Sequence, residues 1–160
     1  MEHFYSGNAV SSVTETGRLC IPHFVRRAVE RRSGLAEIIL GRHNEDPCLV
    51  AYDVPHRGSL HAELERRRLF EERSGMSTKP HHARMRRIFG TAEQLSYDEE
   101  GVLELPPMLR RTAGIGGSAL FIGAGETVEI WDANVAMEWG DDDLKDLASE
   151  MLREVGSQTA

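Results

Sequence analysis

The sequence has 160 residues, of which 40% are hydrophobic and 28% are charged. It contains no apolar run close to the roughly 20 residues that cross a bilayer, which excludes a membrane-spanning segment. Its first residues lack the basic stretch and apolar core of a secretory signal, so we expect a cytoplasmic protein. Two cysteines, Cys20 and Cys48, are too few for a disulfide framework or a metal site, and we expect buried thiols.

The net charge of −7 argues against nucleic-acid binding, because proteins that bind phosphates usually carry an excess of basic residues. The distribution of the charges changes this interpretation. Residues 1–76 contain eleven Arg against eleven Asp and Glu, whereas residues 77–160 contain eight Lys and Arg against fifteen acids. The acidic excess therefore lies entirely in the second half, and a DNA-facing surface built from the first half is compatible with the composition.

In chain order, the first expected elements are two short strands around a turn, a helix and a hairpin. Gly17 ends the turn, where it can adopt a positive φ without a Cβ clash. Pro22 suits the first turn of a helix, because its missing N–H costs nothing there, and Gly34 suits the helix end. The expected ranges are 8–13, 19–21, 22–33, 36–40 and 48–52.

Helices are expected between the two halves and at the end of the chain. Residues 59–73 are charged, and pairs such as Glu63 with Arg67 at helical spacing predict a helix. Residues 74–77 indicate a break, and a further short helix precedes the second half. A last helix begins near Asp141, where acidic residues favour a helix start. It carries an apolar stripe that must pack against a surface, formed by Leu144, Leu147, Ala148, Met151, Leu152 and Val155.

An internal repeat organises the chain. Residues 17–22 recur as residues 101–106, and the shared proline is followed after one residue by two apolar and two basic residues in both copies. Residues 49–53 likewise correspond to residues 128–132. The repeat unit is about half of the chain. We therefore expect a first repeat with its linking helix at 1–76, a second repeat at 77–140, and an amphipathic helix with its tail at 141–160.

The remaining motifs do not point to catalysis or to a cofactor. His56 and His61 do not share a helical face, and the other histidines show no metal-ligand spacing. The glycines at 114–117 and 123–125 lack the Lys-Ser/Thr ending of a phosphate loop, so we interpret them as turns. No nucleophile stands at a recognisable spacing from a base. We expect no enzymatic activity, no cofactor, no metal site and no small-molecule substrate.

Arginine pairs and runs allow two interpretations. The pair at 26–27 could contact phosphates, but its repetition at 110–111 in the acidic half makes a structural or interface role an equal alternative. The basic runs at 66–68 and 84–87 could form a second basic patch, although charge runs on helices are usually solvated faces.

The duplicated motif resembles that of the MraZ family, whose members carry two copies of an AbrB-like swapped-hairpin domain and a recurring Asp-x-x-Gly-Arg turn before a strand and a proline. Residues 4–7 resemble the start of the family, residues 14–22 its first motif and residues 98–107 its second, so nearly the whole chain is covered. The resemblance implies an α+β fold of two pseudo-repeated AbrB-like swapped-hairpin β-barrel domains, with connecting helices and a C-terminal helix.

The same resemblance implies a DNA-binding transcriptional regulator, expected to be a repressor, of a cell-division and cell-wall gene cluster that includes its own gene. It implies a homo-oligomeric ring, cytoplasmic and nucleoid-associated, that binds direct repeats in double-stranded promoter DNA. The residues supply a mechanism. Gly17 lets a hairpin tip project Arg18, whose planar guanidinium can clamp a phosphate or bind guanine, and Thr16 can add a hydroxyl contact. A ring gains affinity by presenting several such tips.

The sequence departs from the family pattern at two positions. Thr14 stands where the first motif has its acid, and Val102 stands where the second motif has Arg, flanked by Glu99, Glu100 and Glu104. The second turn should repel phosphate, so we expect only the first copy to contact DNA. The alternative is a ring-forming protein-interaction scaffold that has lost specific DNA binding and uses its acidic second half and its C-terminal helix to bind protein.

Overall fold

The computed structural model describes residues 3–159, with the side chains of residues 3–156. The described elements are strands, α-helices and one π-helical turn at Arg86–Gly90, so the α+β class expected from the sequence is confirmed. In chain order they are β1 Asn8–Ser12, β2 Arg18–Cys20, α1 His23–Ser33, β3 Glu37–Arg42, β4 Leu49–Tyr52, α2 His56–Arg73, α3 Lys79–Met85, β5 Glu93–Ser96, β6 Val102–Glu104, α4 Pro107–Ala113, β7 Ser118–Gly123, β8 Val128–Trp131, α5 Ala133–Trp139 and α6 Asp142–Thr159.

The described strands form two antiparallel sheets. Six of them make one sheet in the order β1-β7-β8-β4-β3-β5, and β2 and β6 make a separate two-stranded ribbon. Because β1 and β5 are the edges of the larger sheet, the expected β-barrels are not formed by the described residues. The reason is that β2 and β6 leave the sheet and pair with each other, so they do not continue it beyond β1 and β5.

The first strand of each half pairs with a strand of the other half, an arrangement that we call the strand exchange. Val10 of β1 is opposite Leu120 of β7, and Ile38 of β3 is opposite Leu95 of β5. The hairpins β3–β4 and β7–β8 join through β4 and β8, and the ribbon joins β2 to β6. Both sheets therefore contain strands of both halves.

The main hydrophobic core also draws on both halves at equivalent positions. Ile21 and Val25 are fully buried, and so are Leu105 and Leu109, which occupy the same places in the second copy of the motif. These residues flank the proline of each copy, and burying a side chain of this kind stabilises the fold by about 1.5–3 kcal/mol. The core therefore anchors the ribbon and the turns at its ends.

Helix α6 packs against its own chain. Ala148 and Met151, from the predicted apolar stripe, are buried in a second cluster with Leu120 and Trp131 of the sheet. The stripe is therefore confirmed as a packing face, except at Leu152, which is 41% exposed. Helix α6 thus covers the second half of the protein to which it belongs.

Helix α5 is absent from the elements expected from the sequence. It begins after Asp132, whose Oδ1 accepts hydrogen bonds from the backbone N–H groups of Asn134 and Val135. This cap satisfies N–H groups that have no partner within the helix. Helix α5 then contacts α6, and together they form the corner that covers β7 and β8.

Helix α2 is longer than expected, because it begins at His56 rather than near residue 59. The predicted break after it is confirmed at Gly75, which has a φ of +75°. Charged side chains hold α2 to α3: Glu71 is buried and accepts a hydrogen bond from Arg84. Among the residues that the structure describes, no helix is long and apolar enough to span a membrane.

The expectation of two buried thiols is correct for Cys48 and wrong for Cys20, which is exposed. Cys20 lies in the ribbon strand β2, where side chains alternate between the two faces. Leu19 takes the inward position and is buried, so its neighbours Arg18 and Cys20 face outward.

Candidate nucleic-acid interface

The turn between β1 and β2 is closed by its own backbone. The N–H of Gly17 donates to the carbonyl oxygen of Thr14 at 2.9 Å, and the N–H of Thr14 donates to the carbonyl oxygen of Arg18 at 2.9 Å. Gly17 has a φ of +90°, a conformation that favours glycine. The turn is therefore a compact tip whose sequence-predicted residues, Thr16, Gly17 and Arg18, are consecutive.

The hydroxyl of Thr14 takes over the structural task of the acid that the family motif has at this position. Thr14 Oγ1 accepts a hydrogen bond from the N–H of Arg18 at 3.0 Å. In the second copy, Asp98 Oδ1 accepts the equivalent bond from the N–H of Val102 at 2.9 Å, and Gly101 repeats the positive φ. The departure at Thr14 thus keeps the turn and removes one negative charge close to Arg18.

The two turns lie at opposite ends of the ribbon. The carbonyl oxygen of Gly17 accepts from the N–H of Leu105 at 2.8 Å, and that of Gly101 accepts from the N–H of Ile21 at 2.8 Å. Each turn is therefore hydrogen-bonded to the strand end of the other copy. This arrangement makes the position of each tip depend on both halves of the chain.

One arginine from each repeated pair lies against the turn of the other half. Arg110 donates from Nη1 to the carbonyl oxygen of Glu15 at 2.9 Å, and a Cβ at Gly17 would lie 3.6 Å from this nitrogen. Arg26 lies so close to Gly101 that a Cβ there would be 2.7 Å from Arg26 Nε. Sequence analysis left the role of these arginines open, and the structure gives Arg26 and Arg110 a structural role.

The side chains of Thr16 and Arg18 are exposed, whereas Gly17 is buried. Within the described part of the chain, no carboxylate lies within ion-pair distance of the Arg18 guanidinium, although Glu104 is opposite Arg18 in the ribbon register. An unpaired, exposed guanidinium on a rigid tip is available to an anionic partner.

The surroundings of the first turn include a basic residue that the sequence analysis did not select. An open cavity of about 520 Å³ beside the turn is lined by Thr16, Arg110 and Arg111, among other residues. Arg111 is exposed. The acidic half therefore contributes positive charge next to the tip. Only the folding of the two halves into each other brings it there.

The second turn offers no comparable group. Val102, at the position of Arg18, is partly buried, and Glu99 and Glu100 are exposed in the turn before it, whereas Glu104 lies at the other end of the ribbon, opposite Arg18. This turn presents carboxylates where the first presents a guanidinium. The two tips therefore differ at the position of Arg18, which carries a guanidinium in the first turn and an apolar side chain in the second.

A separate polar cluster surrounds Asp53, which is fully buried after β4. Tyr5 donates from Oη to Asp53 Oδ2 at 2.8 Å, and Arg32 donates from Nε to the same oxygen at 2.5 Å. Burial raises the pKa of Tyr5 above its ordinary value, and the hydrogen bond to Asp53 acts in the same direction. Arg32 also pairs with Glu126 of the second half at 2.9 Å. The cluster ties α1 to both halves of the protein.

Across the described residues, no three His, Cys, Asp or Glu side chains come together in a group that could hold a metal ion.

No model of a known protein family matches the chain. Individual proteins do, and several of them share the name transcriptional regulator MraZ. The protein from Herpetosiphon aurantiacus is 32% identical over 130 residues, 81% of this chain and 81% of the relative. The protein from Rickettsia bellii is 32% identical over 132 residues, 82% of each chain. The protein from Escherichia coli is 25% identical over 150 residues, 92% of this chain and 90% of the relative.

Proposed function

Because the chain belongs to the MraZ family of transcriptional regulators, we propose that it binds DNA through the turn that carries Thr16, Gly17 and Arg18. The observation that carries this proposal is the exposed Arg18 guanidinium, which has no carboxylate partner in the described part of the chain. The tip around it is fixed by backbone hydrogen bonds and by Arg110.

In this proposal, Arg18 enters a groove of the duplex and binds a phosphate or the O6 and N7 atoms of guanine. A bidentate contact to guanine contributes about 1–3 kcal/mol of discrimination between bases. The exposed hydroxyl of Thr16 binds the DNA backbone beside it, and Arg111 adds a longer-range attraction. The protein carries a net charge of −7, so non-specific binding to DNA is weak and the tip supplies most of the affinity.

We propose further that each unit is an AbrB-like swapped hairpin. The strand exchange supports this, because β1 pairs with β7 and β5 pairs with β3. Residues 1–76 and 77–140 are then two copies of one unit folded into each other, and residues 141–160 are an added tail.

The proposed assembly is a homo-oligomeric ring that binds direct repeats upstream of the protein's own gene. One chain presents a single arginine tip, and one tip binds weakly. A ring places several tips on spaced repeats, which raises affinity through effective concentration without new contacts. We propose that the bound ring, associated with the nucleoid in the cytoplasm, represses a cell-division and cell-wall gene cluster.

The test is a mobility shift with DNA from upstream of the gene, at two salt concentrations, with a scrambled-repeat DNA beside it. We expect specific binding that weakens with salt and that falls at least about tenfold in Arg18→Ala, since 1.4 kcal/mol corresponds to a factor of ten. Arg31→Ala is the matched control, because Arg31 is an exposed arginine on α1 outside both turns. Equal losses in the two variants would refute a specific role for Arg18.

The second candidate function is a ring-forming scaffold that binds protein and not DNA. The acidic second half and the 67% exposed Trp139 favour it. It predicts that the wild-type protein forms its oligomer but binds repeat and scrambled DNA equally poorly. The mobility shift therefore separates the two candidates.

A further inference from the structure

A groove lies beside the corner of α5 and α6. Its apolar wall consists of Ile122, Trp131, Trp139, Leu144 and Leu147, and its volume is about 430 Å³. Trp139 is 67% exposed, which is unusual for a side chain with so much apolar surface. An exposed tryptophan on the edge of an apolar groove is typical of a surface that binds another protein. We call this surface the acidic groove.

The rim of the groove is negatively charged. Asp46, Glu129, Asp141 and Asp143 line it, and no Lys or Arg is among its described lining residues. The imidazole Nε2 of His43 lies 3.7 Å from a carboxylate oxygen of Glu129. This imidazole offsets part of the negative charge of the rim only when it is protonated. A partner of this groove must therefore combine apolar side chains with positive charge.

The outward face of α2 has this combination. Arg66, Leu69, Phe70 and Arg73 follow one another at helical spacing on the side opposite the buried Leu64. Leu69 is 42% exposed and Phe70 is 69% exposed. We call these four residues the α2 face.

Both arginines of the α2 face are exposed. Neither has a carboxylate within ion-pair distance in the part of the chain that the structure describes. Their neighbours are instead paired within α2 itself, Arg67 with Glu71 and Arg68 with Glu65 and Glu72. The unpaired arginines are thus those that flank the exposed apolar residues.

We propose that the α2 face of one copy docks in the acidic groove of a second copy. The inference deepens the proposed ring assembly and rests on it, because it names the two surfaces that would join neighbouring subunits. Phe70 inserts beside Trp139, while Arg66 and Arg73 meet the carboxylates of the rim. An aromatic anchor in a groove with a charged rim is the usual anatomy of a specific contact.

The occupant is a second copy because the same chain carries both complementary surfaces, one on α2 and one at the corner of α5 and α6. The surfaces are unlike, so the contact is head-to-tail, and after the first contact one subunit keeps a free groove and the other keeps a free α2 face. A head-to-tail contact that repeats with a closing rotation generates a ring.

The test uses one variant for each surface, Phe70→Ser and Trp139→Ser, and measures mass in solution without DNA by light scattering after size exclusion. Wild-type protein should form a closed oligomer, whereas each variant alone should be a monomer, because every contact needs both surfaces. A mixture of the two variants should form a one-to-one dimer through the single intact contact. Leu35→Ser is the control, since Leu35 is 45% exposed and belongs to neither surface.

Several outcomes would overturn the proposal. Wild-type protein that stays monomeric, single variants that keep the wild-type size, or a mixture that stays monomeric would each do so. Melting temperatures close to that of the wild type verify that the variants fold. A charge reversal checks the pairing independently: Arg66→Glu with Arg73→Glu should abolish assembly, and adding Asp46→Arg with Asp143→Arg should restore it.

This experiment and the test of the proposed function fail separately. Assembly without specific DNA binding would end the proposed function and leave the docking contact intact. Specific DNA binding by a wild-type monomer would end the docking contact and the ring assembly, and would leave DNA binding through Arg18 intact.

Discussion

Arg110 of α4 donates a hydrogen bond from its Nη1 to the backbone carbonyl oxygen of Glu15, 2.9 Å away, across the boundary between the two halves. Two further bonds, from Nε to Ile115 and from Nη2 to Gly116, fix the guanidinium in the second half. Arg110 therefore positions the tip that carries Arg18, and its Nε, Nη1 and Nη2 are all engaged by backbone carbonyl oxygens.

Replacing Arg110 should loosen the tip and weaken DNA binding. We expect Arg110→Ala to lower the affinity for the proposed operator about threefold to tenfold, because one hydrogen bond contributes roughly 0.5–1.5 kcal/mol. The salt dependence of binding should stay that of the wild type, since Arg110 is not expected to touch phosphate.

Arg26→Ala is the matched control for this prediction. Arg26 lies against the Gly101 turn, as Arg110 lies against the Gly17 turn, and a mobility shift should show wild-type affinity for this variant. If both variants bind DNA equally weakly, the effect comes from general loosening of the ribbon and not from positioning of Arg18.

Thr14 should tolerate an acid and not an apolar isostere. Thr14→Val removes the acceptor for the N–H of Arg18 and should lower the free energy of unfolding by about 1 kcal/mol. Thr14→Asp should keep the stability, because Asp98 makes the same bond in the second turn. Urea unfolding measures both, and a Val variant as stable as the wild type would contradict the assigned bond.

Two buried tyrosines should respond differently to loss of their hydroxyl groups. Tyr5→Phe leaves the buried Asp53 without one of its donors and should cost about 1–3 kcal/mol. Tyr97 Oη is buried without a hydrogen-bond partner among the described residues, so Tyr97→Phe should be neutral or slightly stabilising. Thermal unfolding of the two variants at pH 7 checks this contrast, and equal losses would speak against it.

Alkaline pH should destabilise the protein through the same tyrosines. Burial, with a smaller contribution from nearby Glu30, raises the pKa of Tyr97 to about 12, so the folded state favours the neutral phenol. This contribution is complete below pH 10, the ordinary pKa of tyrosine, and is lost as the pH rises toward about 12. Unfolding followed from pH 9 to 12 should show a shallower fall for Tyr97→Phe than for the wild type.

The turns and the repeat could be predicted from the sequence because their causes are local. Gly17 and Gly101 both precede a short apolar strand and a proline, and both have the positive φ that this spacing suggests. The apolar stripe of α6 could also be predicted from the sequence, because its apolar residues recur with the period of a helix. These features depend on neighbours a few residues away.

The strand exchange and the arginine contacts could not be predicted in this way. Nothing near Arg110 indicates that its partner is Glu15, because the two residues meet only after β2 and β6 have paired. The exposure of Cys20 could not be predicted either, because an apolar run does not show which of its alternate positions faces the core.

The pairing of β1 with β7 also has a consequence for how the protein is made. Asn8 faces Ile122 in the finished sheet, so most of the chain is synthesised before the first strand finds its partner. At about 5–20 residues per second, the ribosome needs from several seconds to more than about twenty seconds to proceed from β1 to β7. During that interval a strand edge stays open to other nascent chains. The charged helix α2, which follows β4 and is made before β7, is well suited to keeping such a waiting chain in solution.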